Sequence, residues 1–159
     1  MPKPTPRASQ TSVVLSQLMQ PADANFMGNI HGGVIMKLID EAAGTCAYQF
    51  CRTRVVTAAI DRIDFHYPVQ VGNLVVLKAA INYAGSTSLE VGVRVEAEDL
   101  STGEITHTNS AYLVFVALDE KRKPIKVPQF VPATAAERRR HAEAAERRRL
   151  RLAAREPRD

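Results

Sequence analysis

One stretch of the chain gathers the residues whose types and spacing could do chemistry. Asn25 and the sequence His31-Gly32-Gly33 precede a run of helical periodicity, and the carboxylate of Asp40 lies inside that run. Backbone N–H groups at the start of a helix lack intrahelical acceptors, and the helix dipole suits them to an anion or a developing oxyanion. The pattern therefore indicates an acid–amide–oxyanion arrangement made of Asp40, Asn25 and the backbone N–H groups of Gly32 and Gly33.

The spacing of these groups suggests that two chains build one site. At a rise of about 1.5 Å per residue, Asp40 lies on the order of 10 Å from the N–H of Gly33. One helix therefore need not present both groups to one substrate, whereas a symmetric dimer could bring Asp40 of one chain near the glycines of another. Small and apolar neighbours predict a partly desolvated Asp40 and hence a better base, and a boundary residue in contact with water is the alternative.

The elements that must position these groups can be read from periodicity. Ile35, Leu38, Ile39, Ala42 and Cys46 form one apolar stripe and predict a helix from about Gly33 to Phe50. Runs rich in β-branched residues predict five strands, over residues 11–20, 55–67, 74–83, 89–99 and 104–118. A strand, a helix and four strands joined by short turns favour an α+β fold, in which a curved antiparallel sheet wraps a long central helix.

Alternation is clearest in the strand over 89–99, where apolar residues predict one face toward the core. The charged residues of that strand are then predicted to face solvent: Glu90, Arg94, Glu96 and Glu98.

Length and charge divide the chain into three parts. We predict a flexible N-terminus over 1–10, one domain over 11–133 and an Arg/Ala-rich helix and tail over 134–159. Thr134 and Glu137 predict a capping box at the start of that helix. The net charge of +4 comes from the tail, so the domain itself is neutral. We expect a solvated helix loosely packed on a neighbour and no nucleic-acid ligand, with an acidic or nucleic-acid surface as the alternative.

Several other classes of function find no support. The chain has no apolar run long enough to span a membrane and begins without a secretory pattern, so we predict a cytoplasmic protein. Cys46 and Cys51 are predicted to be buried free thiols. The four histidines lack metal-ligand spacing, and nucleotide-binding loops and the GxSxG elbow are missing, so we expect neither a metal nor a cofactor.

A long motif resembles a known family. The stretch PADANFMGNIHGGVIMKLIDEAAG, followed by VVTAAIDRIDFHYPVQVG, is similar to the signature of the hotdog-fold acyl-CoA thioesterases, in the group of the YciA-like enzymes and the brain-type cytosolic acyl-CoA hydrolases. The resemblance runs from about Thr11 into the charged C-terminal helix. It implies hydrolysis of fatty acyl-CoA to free acid and CoA, a homodimer formed by joining two sheets edge to edge, and often a trimer of dimers.

The resemblance also implies roles for single residues. Asn25 and Asp40 match catalytic positions that different hotdog repeats contribute in two-domain relatives, so each site here would take one residue from each protomer. Asp40 is then the general base for water, and direct attack by Asp40 through a mixed anhydride is the alternative. Asn25 would orient the water or the carbonyl, and the N–H of Gly33, helped by Gly32, would hold the oxyanion.

Coenzyme A needs a groove and cations for its phosphates. The candidates are Arg54 and the turn Ser86-Thr87-Ser88, with a weaker case for Lys121, Arg122 and Lys123. His31 is expected to shape the pocket. CoA enters as part of substrate and product, so it is not counted as a cofactor.

Two other functions remain open at this point. A hotdog dehydratase needs a histidine with an acidic partner across the dimer, and His31 is the sole candidate. A non-catalytic acyl-CoA sensor would use the basic tail to contact DNA, although no helix-turn-helix pattern precedes the domain.

Overall fold

The computed structural model describes residues 11–155. The predicted flexible segment 1–10 and the last residues of the tail, 156–159, lie outside the described residues. Strand β1 (Ser12–Leu18) is followed by a short 3-10 turn (Pro21–Asp23) and helix α1 (Gly32–Cys51). Strands β2 (Val55–Phe65), β3 (Leu74–Ala84), β4 (Ser88–Glu98) and β5 (Ile105–Ala117) follow, and helix α2 (Ala135–Ala153) comes last. Each predicted helix and strand is present, with ends shifted by a few residues.

The five strands form one antiparallel sheet in the order β1-β3-β4-β5-β2. Strands β3, β4 and β5 are neighbours in sequence and in space, because short turns join them. The two strands that flank α1 in sequence, β1 and β2, become the two edges of the sheet. Register shifts interrupt the pairing of β2 with β5 on either side of Ala59 and bend this edge strand.

Helix α1 packs against the inner face of the sheet and supplies much of the core. Its buried residues include the whole predicted stripe and extend it by four positions: Ala43, Ala47, Phe50 and Cys51. They meet apolar side chains from the inner faces of β3, β4 and β5, such as Leu77, Val91 and Leu113. Lys37 and Glu41 lie on the exposed side, 3.9 Å apart, as the periodicity predicts. This is the central helix wrapped by a sheet that the sequence predicts.

Helix α2 crosses the outer face of the sheet. Thr134 and Glu137 form the predicted capping box, in which the Glu137 N–H donates to the Thr134 hydroxyl (3.1 Å). The helix buries Ala144 against the sheet, and Arg147 reaches Glu90 of β4 at 2.7 Å. The prediction that Glu90 faces solvent is therefore wrong, because α2 covers that part of the outer face. Among residues 11–155 no helix is long and apolar enough to cross a membrane.

Candidate active site

The loop that carries Asn25 is held by the side chain of that residue. The Asn25 Oδ1 accepts hydrogen bonds from the backbone N–H groups of Met27 (2.9 Å) and Asn29 (3.3 Å). Gly28 closes the turn with φ of +89°, a conformation that favours glycine. The carboxamide oxygen is thus used within the loop, while the Nδ2 group has no acceptor among residues 11–155. Asn25 can therefore act toward a ligand as a donor.

The tip of this loop is apolar and exposed. Phe26 is 100% exposed and Met27 is 74% exposed, although both belong to residue types that are normally buried. Nothing within the described chain covers these two side chains.

The start of α1 is capped by a histidine. His31 occupies the N-cap position, and its Nδ1 accepts a hydrogen bond of 3.1 Å from the Gly33 N–H. A Cβ atom added at Gly33 would lie 3.2 Å from that nitrogen, so the glycine leaves room for the imidazole. Because the Nδ1 lone pair is occupied, a neutral His31 carries its proton on Nε2.

The cap occupies one of the two N–H groups that were predicted to form the oxyanion hole. The Gly33 N–H was predicted to be its main donor, but in the structure it already donates to His31. The Gly32 N–H has no acceptor among residues 11–155 and precedes the hydrogen-bonded part of the helix. Gly32 is therefore the immediately available donor, and the Gly33 N–H becomes available only when the His31 ring moves.

Asp40 contacts a residue that was not predicted to belong to the site. The Thr57 hydroxyl, on β2, donates a 2.8 Å hydrogen bond to Asp40 Oδ1. The two residues are 17 positions apart, and only the packing of α1 against the edge strand brings them together. Thr57 lies within a run of β-branched residues typical of any strand, so the sequence held no signal for this role.

Within one chain Asp40 is exposed, which corrects the prediction of partial desolvation. The surface around Asp40 is nevertheless apolar, because the side chains of Met36 on α1 and of Val56 and Ile60 on β2 are also exposed. The packing within the chain buries only the stripe of α1 that faces the sheet, and Asp40 lies beyond that stripe. A second molecule covering this surface would be needed to remove Asp40 from water.

The predicted CoA-binding residues share one end of the sheet. The Leu118 N–H donates to the carbonyl of Arg54 (2.9 Å), and the Ala117 N–H donates to the carbonyl of Thr87 (3.1 Å). Arg54 and the turn of Ser86, Thr87 and Ser88 therefore flank the end of β5. Arg54 is three residues from Thr57, about 10 Å along an extended strand. Arg54 is therefore close to the pair of Thr57 and Asp40. Gly32 is far from Arg54, because it begins α1, which is about 30 Å long and ends near Arg54.

The weaker cationic candidates are at the same end. Asp119 closes a turn by accepting hydrogen bonds from the N–H groups of Lys121 (2.8 Å) and Lys123 (2.9 Å). Arg122, at the tip of this turn, has φ of +61°. All three cations are exposed, so this end of the sheet is positively charged.

The remaining candidate groups are structural. Cys46 and Cys51 are buried free cysteines, as predicted. Burial raises the pKa of the Cys46 thiol to about 12, so a thiolate nucleophile is excluded there at neutral pH. Within residues 11–155 no group of three or more His, Cys, Asp or Glu residues could hold a metal ion.

Comparison with known proteins places this geometry in a family. The profile of the Thioesterase superfamily matches residues 27–104. Protein VdlD of Helicobacter pylori is 43% identical over 144 residues, which is 91% of this chain and 82% of that protein. The crystal structure of an apo-hexameric acyl-CoA thioesterase superposes with a TM-score of 0.87 at 39% identity, covering 92% of this chain and 96% of that one.

A further structural relative is the acyl-CoA hydrolase of Staphylococcus aureus, solved with butyryl coenzyme A, coenzyme A and coenzyme A disulfide. It is 32% identical, with a TM-score of 0.85, and the match covers 91% of this chain and 88% of that chain. Single Asn→Ala, Asp→Ala and Thr→Ala variants of that enzyme have also been solved. Along its chain the three substituted positions are separated by 15 and 17 residues, the same intervals that separate Asn25, Asp40 and Thr57 here.

Proposed function

The chain belongs to the hotdog-fold thioesterase superfamily, and from this premise we propose that it hydrolyses acyl-CoA thioesters to a carboxylic acid and CoA. The observation that carries the proposal is the pair formed by Asp40 and Thr57. An exposed carboxylate is fixed by one neutral hydroxyl at 2.8 Å, beside the apolar surface of an edge strand. Relatives named for acyl-CoA hydrolysis, over nearly the whole chain, support the choice of thioester.

Asp40 acts as the general base. A water molecule gives a proton to the free oxygen of Asp40 as its own oxygen attacks the thioester carbonyl carbon. The C=O electrons move onto oxygen and form a tetrahedral oxyanion. When the intermediate collapses, the C–S bond breaks and the CoA thiolate takes the proton back from Asp40. The hydrogen bond from Thr57 to Oδ1 leaves Oδ2 for the water and fixes the carboxylate plane.

The start of α1 stabilises the oxyanion. The Gly32 N–H is the first donor, and the positive end of the helix dipole adds to its effect. The Gly33 N–H joins it if the carbonyl oxygen displaces the His31 ring. The Asn25 Nδ2 group, which no acceptor in the described chain occupies, orients the carbonyl or the water.

Each site combines two protomers. The glycines and Asp40 of one chain are on the order of 10 Å apart along α1, too far to contact one reacting carbon. The exposed edge strand β2, with Val56 and Ile60 uncovered, offers the surface on which a second sheet could pair edge to edge. We propose a homodimer on this edge, with Asn25 and the glycines of one chain facing Asp40 of the other. The hexameric relative supports assembly beyond the dimer, and we propose that three such dimers associate.

CoA would lie toward the positive end of the sheet. Arg54 and the Ser86–Ser88 turn share the end of β5, and Lys121, Arg122 and Lys123 are close by in sequence to that end. Guanidinium and ammonium groups at this position suit the phosphates of CoA. A cytoplasmic location, an absence of cofactors and an absence of nucleic acid stay predictions.

The histidine cap disfavours the dehydratase alternative. A dehydratase base must accept a proton, but His31 Nδ1 is occupied by the Gly33 N–H and the neutral ring carries its proton on Nε2. Neither nitrogen can accept a proton unless the cap breaks. The sensor alternative is separated from hydrolysis by the first experiment below.

The first experiment measures thiol release from a series of acyl-CoA substrates, from short to long chains. The wild type and Asp40→Asn are compared, with Glu41→Gln as the matched control, because Glu41 is the next carboxylate on α1 and faces solvent. We expect turnover by the wild type, a loss of about 100-fold or more in Asp40→Asn, and little change in the control. CoA binding without turnover of any acyl-CoA would support the sensor and overturn the hydrolase.

The second experiment tests the shared site. Asn25→Ala and Asp40→Ala chains are each inactive by this mechanism, but a mixed dimer contains one site with both native residues and one with neither. Unfolding and refolding an equal mixture would give half mixed dimers, so activity should recover to about a quarter of the wild-type value. If each chain holds a complete site, the mixture stays as inactive as its components.

A further inference from the structure

A cavity lies on the side of the sheet opposite to α1. It has a volume of about 440 Å³, is partly open to solvent, and is bordered by the first half of α2 and the outer faces of β1, β3, β4 and β5. Asp40 and Thr57 do not line it, so it is separate from the proposed active site. Volumes of this size are typical of sites for small organic ligands.

The floor of the cavity is small and apolar, and its walls are cationic. Val14, Ala80 and Gly92 leave space above the sheet, where larger side chains would fill the gap. A Cβ atom at Gly92 would lie 2.6 Å from Asn82 Nδ2, so the glycine also admits the Asn82 carboxamide. The cationic residues are Lys78 and Arg94 on the sheet and Arg139 and Arg140 on α2.

The positive charge is only partly compensated within the protein. Lys78 (2.9 Å) and Arg94 (3.1 Å) share one carboxylate oxygen of Glu96. Arg139 and Arg140 make no ion pair among residues 11–155, although Glu143 also lines the cavity. Glu137 interacts electrostatically with Arg140, but its carboxylate already accepts hydrogen bonds from the N–H groups of Ala133 and Thr134.

Two buried polar atoms on residues that line the cavity lack partners in the protein. Asn82 is 1% exposed, and its Nδ2 donates to Glu90 while its Oδ1 accepts nothing. The Nε of Arg140 is likewise buried without an acceptor. Buried polar groups are normally satisfied, so an acceptor oxygen and a guanidinium donor left open around one cavity indicate a ligand that supplies the missing partners. That ligand must carry an anionic acceptor and a separate donor.

We propose that this cavity binds a small organic phosphate ester. The phosphate contacts Arg139 and Arg140, whose planar guanidinium groups match its oxygens. A hydroxyl or amino group of the organic part donates to Asn82 Oδ1, and the carbon skeleton lies on Val14 and Ala80. Because residues of both α2 and four strands line the cavity, its occupation stabilises the docking of α2 on the sheet.

The test is calorimetric titration of the full-length chain at about physiological ionic strength, where weak nonspecific binding is screened. The probes are ribose 5-phosphate, adenosine monophosphate, inorganic phosphate and ribose, each with excess CoA present to occupy any phosphate site of the catalytic groove. We expect saturable binding of the two esters, weaker binding of inorganic phosphate and none of ribose. A preference between the esters identifies the source as a sugar phosphate or a nucleotide.

The variants separate a specific site from general charge. R139Q/R140Q should weaken ester binding by about tenfold or more, because charge-assisted hydrogen bonds are lost. The control R149Q/R155Q removes the same charge outside the cavity, from the last turns of α2 and from Arg155 just beyond its end, and should change affinity by less than about twofold. Circular dichroism melting checks that both proteins fold. Absence of saturable binding to the wild type in the presence of CoA, or equal weakening in both variants, would each overturn the proposal.

Discussion

Two carboxylates on opposite sides of the same sheet show how differently the fold treats one functional group. Asp40, on the α1 side, is exposed and accepts one hydrogen bond, from the neutral hydroxyl of Thr57. Glu90, on the α2 side, is buried and accepts three N–H donors, one from Asn82 and two from Arg147. The guanidinium of Arg147 also stacks 3.7 Å above the ring centre of Tyr112.

The two environments suit the two carboxylates to different roles, Glu90 to stability and Asp40 to reactivity. The Glu90 oxygens are committed to N–H donors, and withdrawing the Arg147 guanidinium would leave a buried charge without compensation. Asp40 keeps an oxygen free, and its hydrogen bond fixes geometry without a neutralising charge. A carboxylate held in this way can receive a proton from water. We therefore expect substitutions around Glu90 to change the free energy of unfolding, and those around Asp40 to change turnover.

The largest expected effect is on the Glu90 side. Arg147→Ala removes both charged donors from Glu90, whose side chain is 3% exposed. We expect the free energy of unfolding to fall by about 3 kcal/mol, with turnover per folded molecule little changed. Urea denaturation measures this loss, and Arg149→Ala, which breaks only an exposed pair with Glu146, is the control. Equal stabilities of the two variants would contradict the assignment of Glu90 to structure.

The next effect is on the Asp40 side. Thr57→Val keeps the shape of the side chain but removes the hydrogen bond to Asp40, so we expect kcat to fall about tenfold. Thr57→Ser should restore most of the turnover because it keeps the hydroxyl. KM and the free energy of unfolding should hardly move, since Thr57 is exposed. Thr45→Val, which removes another exposed hydroxyl, is the matched control. A purely structural role of Thr57 would predict a loss of stability and no rescue specific to the hydroxyl.

The smallest effect concerns Glu96, a carboxylate intermediate between the two. Its hydrogen bond from Lys78 and the neighbouring Arg94 hold its pKa below the ordinary value of 4.5. A lowered pKa in the folded state stabilises the protein above the unfolded pKa, and this contribution is lost as pH falls through the folded pKa. Glu96→Gln should therefore cost about 0.5 kcal/mol at pH 7. Urea titrations at several pH values should show the difference shrinking below pH 4.5; a constant difference would exclude the ion pair as its cause.

Much of the fold could be predicted because the relevant signals are local. The apolar stripe from Ile35 to Cys46 predicts both the helix and its buried side. The capping box of Thr134 and Glu137 predicts the start of α2. The five strands follow from β-branched runs between turns. In each case, residues close together in sequence carry the information.

The contacts that escaped prediction join residues far apart in sequence. Thr57 and Asp40 meet only after α1 packs against β2, and a threonine in a strand gives no sign of such a partner. Helix α2 lacks an apolar stripe, so its composition predicted a loosely packed, solvated helix. It docks through Arg147 on Glu90 and Tyr112, and through Arg151 on Asp61 at 2.8 Å, contacts that periodicity of apolar residues cannot reveal.

The strand order has a consequence for how the chain folds. Strands β3, β4 and β5 pair with their sequence neighbours across short turns, so closing them costs little loop entropy. The edge strands β1 and β2 must each be joined across long intervening segments, and contacts of that range form slowly. We expect the three-stranded meander to form early and β2 to be added late. Until then, one side of β5 is an open edge that can pair with the wrong chain, which makes a low protein concentration the safer condition for refolding this protein.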